Sequence, residues 1–235
     1  MEHSNPLIQI SHVTKKFGRN RAINDLSLDL TGGKITGLIG NNGSGKTTLF
    51  KILAGVLSNW DGSVTINGHK PGIHTKPHVA FLPATGFLNQ TLTIPQAIDL
   101  YQRFFADFDA HKAHDMMEFF QLPFNRTLKE MSKGMGEKVQ IALVMARKAH
   151  VYLLDEPISG VDPATRATIL EGILRNFDDD ALLFISTHLV ADVEPILDDV
   201  VILNNGKLVC YDLIDDLREQ YNMSLDQICR KGILL

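Results

Sequence analysis

The sequence predicts an α/β fold: a mainly parallel sheet with flanking helices, an antiparallel β layer near the N-terminus, and a helical lobe inserted between strands of the core. Three observations predict it. Short apolar runs at residues 35–39, 79–82, 151–154 and 182–186 are interleaved with segments of helical period, the pattern of a parallel sheet. Residues 7–13 and 23–30 instead alternate in the manner of half-buried strands. From 94 to 122 apolar residues recur at helical spacing, and strand-like character resumes only at Val151. The 235 residues therefore read as one domain, with the core and β layer at 1–83 and 150–235 and the helical lobe at 84–149.

In chain order, the strand at 7–13 is followed by Phe17-Gly18 at a loop, the strand at 23–30, and a Thr31-Gly32-Gly33 turn into the strand at 35–39. A helix at 48–57 comes next, and Asp61-Gly62 and Asn67-Gly68 bracket a short strand at 63–66. In the lobe, Pro95 suits a first helical turn, two helices join near Asp109, Pro123 ends them, and a third helix spans 135–150. The core continues with a strand at 151–154, a helix at 163–177, a strand at 182–186 and a helix at 189–197. A hairpin at 200–203 and 207–211 turns through Asn204-Asn205-Gly206, and two short helices, 212–221 and 224–230, follow.

Composition narrows the function classes. With 44% hydrophobic and 21% charged residues the chain is ordinary globular protein, and a net charge of −4 argues against a general nucleic-acid or anionic-lipid surface. Phosphate binding, if present, must be local. Cys210 and Cys229 lie far apart in no metal spacing, and a reducing compartment needs no disulfide from them. Residues 1–6 carry no export-signal pattern, and no apolar run approaches the ~18 residues that span a bilayer, so a soluble, cytoplasmic protein is expected.

The chemistry is concentrated in three places. Gly40-Asn41-Asn42-Gly43-Ser44-Gly45-Lys46-Thr47-Thr48 fits G-x-x-x-x-G-K-[ST] without mismatch, between a predicted strand and a predicted helix. Its glycines let the backbone N–H groups curl around a phosphate, Lys46 adds a mobile positive charge, and the Thr47 hydroxyl is a hard oxygen ligand suited to Mg²⁺. Val151-Tyr152-Leu153-Leu154-Asp155-Glu156 is a buried strand ending in two carboxylates at the edge where ligands of parallel sheets bind. Asp155 suits a metal, through water, and Glu156 suits a base that orients or deprotonates an attacking water. His188 ends the next strand, where an imidazole can hydrogen-bond a γ-phosphate or that water.

With these motifs in this order, nearly the whole chain resembles the ATP-binding cassette of ABC transporters, and the resemblance implies a P-loop NTPase core of the ABC ATPase type. Met131-Ser132-Lys133-Gly134-Met135 matches the family's signature segment, usually Leu-Ser-Gly-Gly-Gln. In the family this segment binds the γ-phosphate of ATP held by a second subunit, which implies that Ser132 and Gly134 act in a head-to-tail dimer, as homodimer or paired heterodimer. Ser159-Gly160-Val161-Asp162 resembles the segment that crosses that interface, and Phe17 takes the place of the aromatic that stacks on adenine. ATP and Mg²⁺ are the implied cofactors. The implied partners are a second cassette and a separate membrane permease, with no nucleic acid, and the chain would sit peripherally on the inner face of the membrane. The Ser-Lys-Gly-Met form is similar to that of small ATPase subunits of ABC-2-type exporters, so an exporter is expected. The alternative is a soluble cassette ATPase acting on ribosomes or DNA, although the tandem cassettes and coiled-coil insertions of those proteins are not present.

Two departures from the family pattern stand out. Lys133 and Met135 replace Gly and Gln, and Ala84 stands where the family has a glutamine that reaches Mg²⁺ and relays to the membrane partner. Other features carry less. His69, His74 and His78 fit no standard metal spacing, His111 and His114 read as solvated helix residues, and the Phe and Met stripe from 101 to 120 reads mostly as lobe core, with a part available to a membrane partner.

Overall fold

In the computed structural model, which describes residues 6–234, the near-continuous apolar runs assemble into one buried sheet in the order β5-β6-β7-β3-β8-β9. These strands are β3 (Lys34–Ile39), β5 (Val79–Leu82), β6 (Val151–Asp155), β7 (Leu182–Thr187), β8 (Asp199–Asn204) and β9 (Lys207–Leu213). The first five pair in parallel, and β9 returns antiparallel to β8 as the hairpin at 204–207 requires. Alternating strands and helices demand this arrangement, since parallel neighbours need crossover connections. The expectation about an export signal concerns residues that, for 1–5, lie outside those described.

The half-buried strands form a second sheet, β2-β1-β4, from β1 (Ile8–Phe17), β2 (Asn20–Leu30) and β4 (Asp61–Ile66), all antiparallel. Helix α1 (Lys46–Leu53) lies between the two sheets: Leu49, Phe50, Ile52 and Leu53 are buried with Ile8, Leu26 and Val64 from one sheet and Leu38, Leu153 and Phe184 from the other. Phe50 meets Phe184 edge-on at 5.0 Å between ring centroids. The opposite face of the large sheet, with Ile39, Leu154, Ile185 and Ile202, packs on the remaining helices. Strand periodicity of two thus feeds two cores from one sheet.

Between β5 and β6 lie α2 (Ile94–Phe104), α3 (Ala110–Phe119) and α4 (Lys133–Met145). Asp109 caps α3, its carboxylate accepting from the N–H groups of His111 and Lys112 at 3.1 Å, and these bonds hold the carboxyl below its usual range. Tyr101, Met116, Met117 and Phe120 are buried as the lobe reading expects, whereas Phe104 points outward. After β6 come α5 (Pro163–Asn176) and α6 (Val190–Val193), and α7 (Ile214–Tyr221) and α8 (Leu225–Arg230) follow the hairpin.

Several boundaries move. The helix expected at 48–57 begins at Lys46 and stops at Leu53, before the left-handed Gly55. The helix expected at 135–150 begins earlier, because Ser132 caps it, and ends at Met145. The helix expected at 189–197 is a single α turn, α6, followed by a 3₁₀ turn at Glu194–Ile196 that contains Pro195. Phe17 ends strand β1 rather than standing in a loop. Among the described residues, no helix is long and apolar enough to cross a membrane.

Candidate active site

Strands β6, β7 and β3 are adjacent, and their C-terminal ends share one edge of the sheet: Asp155 lies opposite Ser186, and Ile39 lies opposite Thr187. Each strand delivers one part of the site.

From β3 the chain passes through residues 40–45 into α1. Gly45 caps the helix at φ +110°, and a Cβ there would lie 2.5 Å from the Ala22 carbonyl oxygen, so conformation and space both require glycine. Lys46 is buried, and its ammonium donates to the Gly40 carbonyl at 2.6 Å and the Asn41 carbonyl at 3.4 Å. Burial pulls its pKa below the usual lysine value, and the negative charges of Glu156 and then Asp155 oppose that shift. Asn41, Asn42 and Gly43 are exposed, Thr47 and Thr48 are half-buried in the first turn of α1, and Ser44 is buried with an Oγ that has no hydrogen-bond partner among the described residues. Free N–H groups at the start of a helix beside a lysine make a site for a polyanion.

From β6 come the carboxylates. Asp155 is 1% exposed; its Oδ1 accepts from the Ser186 hydroxyl, while its Oδ2 is buried with no partner among the described residues. An unpaired buried oxygen of this kind costs about 1–3 kcal/mol or more, so it fits a cation or its water shell. With the Thr47 hydroxyl it offers the hard oxygen donors that Mg²⁺ takes. Glu156 has a left-handed backbone, φ +54°, which for a residue with a side chain stores strain of order 1–3 kcal/mol. Its N–H donates to the Ser186 carbonyl at 3.0 Å and Oγ at 3.1 Å, and this turns the side chain back over the sheet edge.

From β7 comes His188, one residue past the strand end. Its Nδ1 lies 2.8 Å from Glu156 Oε2, and because a carboxylate only accepts, the ring proton of that bond sits on Nδ1. Glu156 Oε1 is 3.9 Å from the Lys46 ammonium, so phosphate loop, acid and imidazole form one chain of contacts. Phe17, half exposed at the end of β1, lines the same cavity of about 350 Å³ as residues 42–48 and Glu156.

Ser132, Gly134 and Asp162 do not line this cavity. Ser132 caps α4, its Oγ accepting from the Met135 N–H at 3.3 Å. Asp162 caps α5, accepting from the Thr165 N–H at 3.0 Å and hydroxyl at 2.6 Å, bonds that hold its carboxyl low. Gly134 packs on Thr165 and Val161, so the signature-like segment and residues 161–165 form a separate surface. Ala84 is exposed, and the segment after it is fastened by the buried Gln140 of α4, whose Oε1 accepts from the Phe87 N–H at 3.1 Å. Sequence reasoning passed over Ser186 and Gln140. The signal for Ser186 was a hydroxyl two residues before the histidine, facing the end of the neighbouring strand.

A phosphate loop, two carboxylates and a histidine on three adjacent parallel strands define a P-loop nucleotide-binding protein. The ABC transporter family model matches residues 23–159, more than half the chain, and the chain belongs to that family as an ATP-binding cassette with ATPase activity. It is 27% identical over 218 residues to the ABC transporter ATP-binding protein YtrB of Bacillus subtilis, covering 92% of this chain and 75% of that protein. It is 30% identical over 213 residues to the uncharacterized ABC transporter ATP-binding protein YdbJ of the same organism, covering 86% and 68%. Among solved structures, the ATP-binding subunit of an ABC transporter superposes with a TM-score of 0.83 at 26% identity, covering 96% of this chain and 98% of that one. A dimeric cassette in a post-hydrolysis state, bound to ADP and Pi, shares the fold with a TM-score of 0.77 at 20% identity, covering 88% and 98%.

Proposed function

We propose that this chain is the ATP-hydrolysing subunit of an ABC exporter, working as a head-to-tail pair of cassettes beneath a separate membrane permease. The observation that carries the hydrolytic reading is Glu156 held between His188 and Lys46, at 2.8 and 3.9 Å, at the mouth of the phosphate loop.

In this reading the N–H groups of Gly43 and of residues 45–48 and the Lys46 ammonium receive the β- and γ-phosphates, while Gly40 to Ser44 shape the loop around them, the Ser44 N–H closing it onto the Asn41 carbonyl at 3.0 Å. The adenine stacks on Phe17. Thr47 and Asp155 would hold Mg²⁺, which when bound supplies positive charge against the phosphate oxygens. Glu156 orients a water in line with the γ-phosphate and takes its proton, and His188 fixes the Glu156 carboxylate and faces the γ-phosphate. The products are ADP and phosphate. Ser132, Gly134 and Asp162 serve the site of the second cassette, which accounts for their distance from the cavity of their own chain. The pair is a homodimer or is made with a related cassette. Its place is cytoplasmic, at the inner membrane face, and no nucleic acid takes part.

Two measurements test this. ATP, but not ADP, should drive the chain from monomer to dimer in analytical ultracentrifugation, and a polytopic membrane protein should co-purify with it from its native host. Specific recovery of ribosomes or DNA in place of a membrane protein would overturn the transporter assignment in favour of a soluble cassette ATPase. Replacing Phe17 tests the stacking contact: a base on an aromatic ring is worth ~1–3 kcal/mol, so Phe17→Ala should weaken ATP binding by about tenfold or more, and Phe17→Tyr should not. Fluorescent-nucleotide titration reads both variants.

A further inference from the structure

We propose that Ser186 is a positioning residue for the ATPase reaction: its hydroxyl sets which oxygen of Asp155 meets the metal and ties that carboxylate to the backbone of Glu156. This rests on the reading above, in which Asp155 holds Mg²⁺ and Glu156 prepares the water, and it adds the residue that aligns the two.

Ser186 lies in β7 opposite Asp155, the last residue of β6, and is fully buried. A serine hydroxyl has one proton to give and two lone pairs to offer. The Glu156 N–H can only donate, and it donates to Ser186 Oγ at 3.1 Å, so it fills a lone pair. The Ser186 proton is directed instead to Asp155 Oδ1. The last torsion of an aspartate is soft and roughly twofold, so without this bond the carboxylate is free to turn. With it Oδ1 is engaged, and Oδ2, buried with no partner among the described residues, is the oxygen left to face a cation or its water shell.

The second contact points the same way. Glu156 sits at φ +54°, a conformation that a residue with a side chain keeps only when its surroundings fix it. Its N–H is shared between the carbonyl of Ser186 at 3.0 Å and the hydroxyl, so one residue holds the turn from which the Glu156 side chain leaves the sheet. Two residues further on, the same strand end carries His188, whose Nδ1 lies 2.8 Å from Glu156 Oε2. Metal ligand, base and imidazole are thus aligned on one buried hydroxyl and the strand end around it. Alanine would fill this position in the strand, but it would supply neither the donor for Asp155 nor the acceptor for Glu156. Groups that hydrogen-bond a metal ligand from behind fix its orientation, and losing one costs about 10- to 100-fold in metal affinity or activity.

The test reads the metal apart from turnover. Mn²⁺, which takes the same oxygen donors as Mg²⁺, is titrated into the ADP-loaded full chain, and bound ion is measured by electron paramagnetic resonance against an ADP-only control. Ser186→Ala should weaken Mn²⁺ binding by about 10- to 100-fold and slow phosphate release at saturating ATP and Mg²⁺, while ADP affinity in EDTA stays as it was. Ser186→Thr, which keeps the hydroxyl and suits a strand, should restore Mn²⁺ binding. Unaltered Mn²⁺ affinity in Ser186→Ala overturns the proposal, whatever happens to the unfolding midpoint, because the serine then only fills the core. An equal loss of metal-free ADP affinity also overturns it, because the whole loop has then shifted. So does a Ser186→Thr variant as weak as Ser186→Ala with an unchanged unfolding midpoint. Asp155→Asn separates the proposal from the reading beneath it. If Asp155→Asn binds Mn²⁺ as the unchanged chain does, Asp155 is no metal ligand and the role of Ser186 falls with it; if it loses Mn²⁺ while Ser186→Ala does not, only Ser186 is refuted.

Discussion

Glu156→Gln should bind ATP as the unchanged chain does and release phosphate at least ~100-fold more slowly, the scale of a positioned general base. Glutamine keeps the length and planar end of the side chain, and its Oε1 can still accept from His188 Nδ1. The backbone bonds that aim the residue, from Glu156 N–H to the Ser186 carbonyl and Oγ, do not involve the side chain. What is lost is the negative charge and the ability to take a proton. The nearby Lys46 ammonium, 3.9 Å from Glu156 Oε1, is freed from a competing anion, so nucleotide affinity should hold or rise. Steady-state phosphate release and nucleotide titration on the same preparation separate the two effects. Turnover equal to that of the unchanged chain would remove Glu156 as the base and leave the strained φ +54° backbone without a catalytic reason.

The candidate site is legible where its parts are local in sequence. The phosphate loop is nine consecutive residues, and Asp155 and Glu156 follow directly on an apolar strand, so a strand-end position could be read from the pattern alone. The sheet order that makes them neighbours was legible only as a class, because which strand pairs with which depends on crossovers that periodicity does not encode. Ser186 shows the limit: its role comes from lying opposite Asp155 in the register of β6 on β7, thirty-one residues away. Helix ends were lost for a related reason. Ser132 and Gly55 set boundaries through cap and backbone conformation, and the stretch after Met145 leaves the helix where Arg147 turns inward to polar partners that no hydrophobic pattern announces. Gln140 and Arg147 are both long polar side chains buried in tertiary contacts, and sequence patterning places such residues on the surface by default.

Arg147→Met should destabilise the chain by about 3–5 kcal/mol, the cost of removing one member of a buried charge network. Arg147 is 4% exposed, yet each of its three guanidinium nitrogens donates to a partner. Nε donates to Asp107 Oδ2 at 3.0 Å, Nη1 to the Val79 carbonyl at 2.9 Å, and Nη2 to the Pro77 carbonyl and Asp107 Oδ1 at 3.0 Å each. The group also lies 4.2 Å from the centre of the Phe105 ring. Asp107 and Phe105 sit between α2 and α3, while Pro77 and Val79 lead into β5, so one side chain fastens the helices to the edge of the parallel sheet. Methionine fills much of the same volume but leaves a carboxylate, the buried Val79 carbonyl and the part-buried Pro77 carbonyl without this donor. Asp107 keeps partial access to water, with 21% of its side chain exposed, which favours the lower end of the range. Arg147→Lys keeps the charge but not the planar fork, and should recover only part of the loss. Urea unfolding of the three chains gives the comparison. A midpoint shift for Arg147→Met worth less than about 1 kcal/mol would mean that the helices are held to the sheet by apolar packing alone.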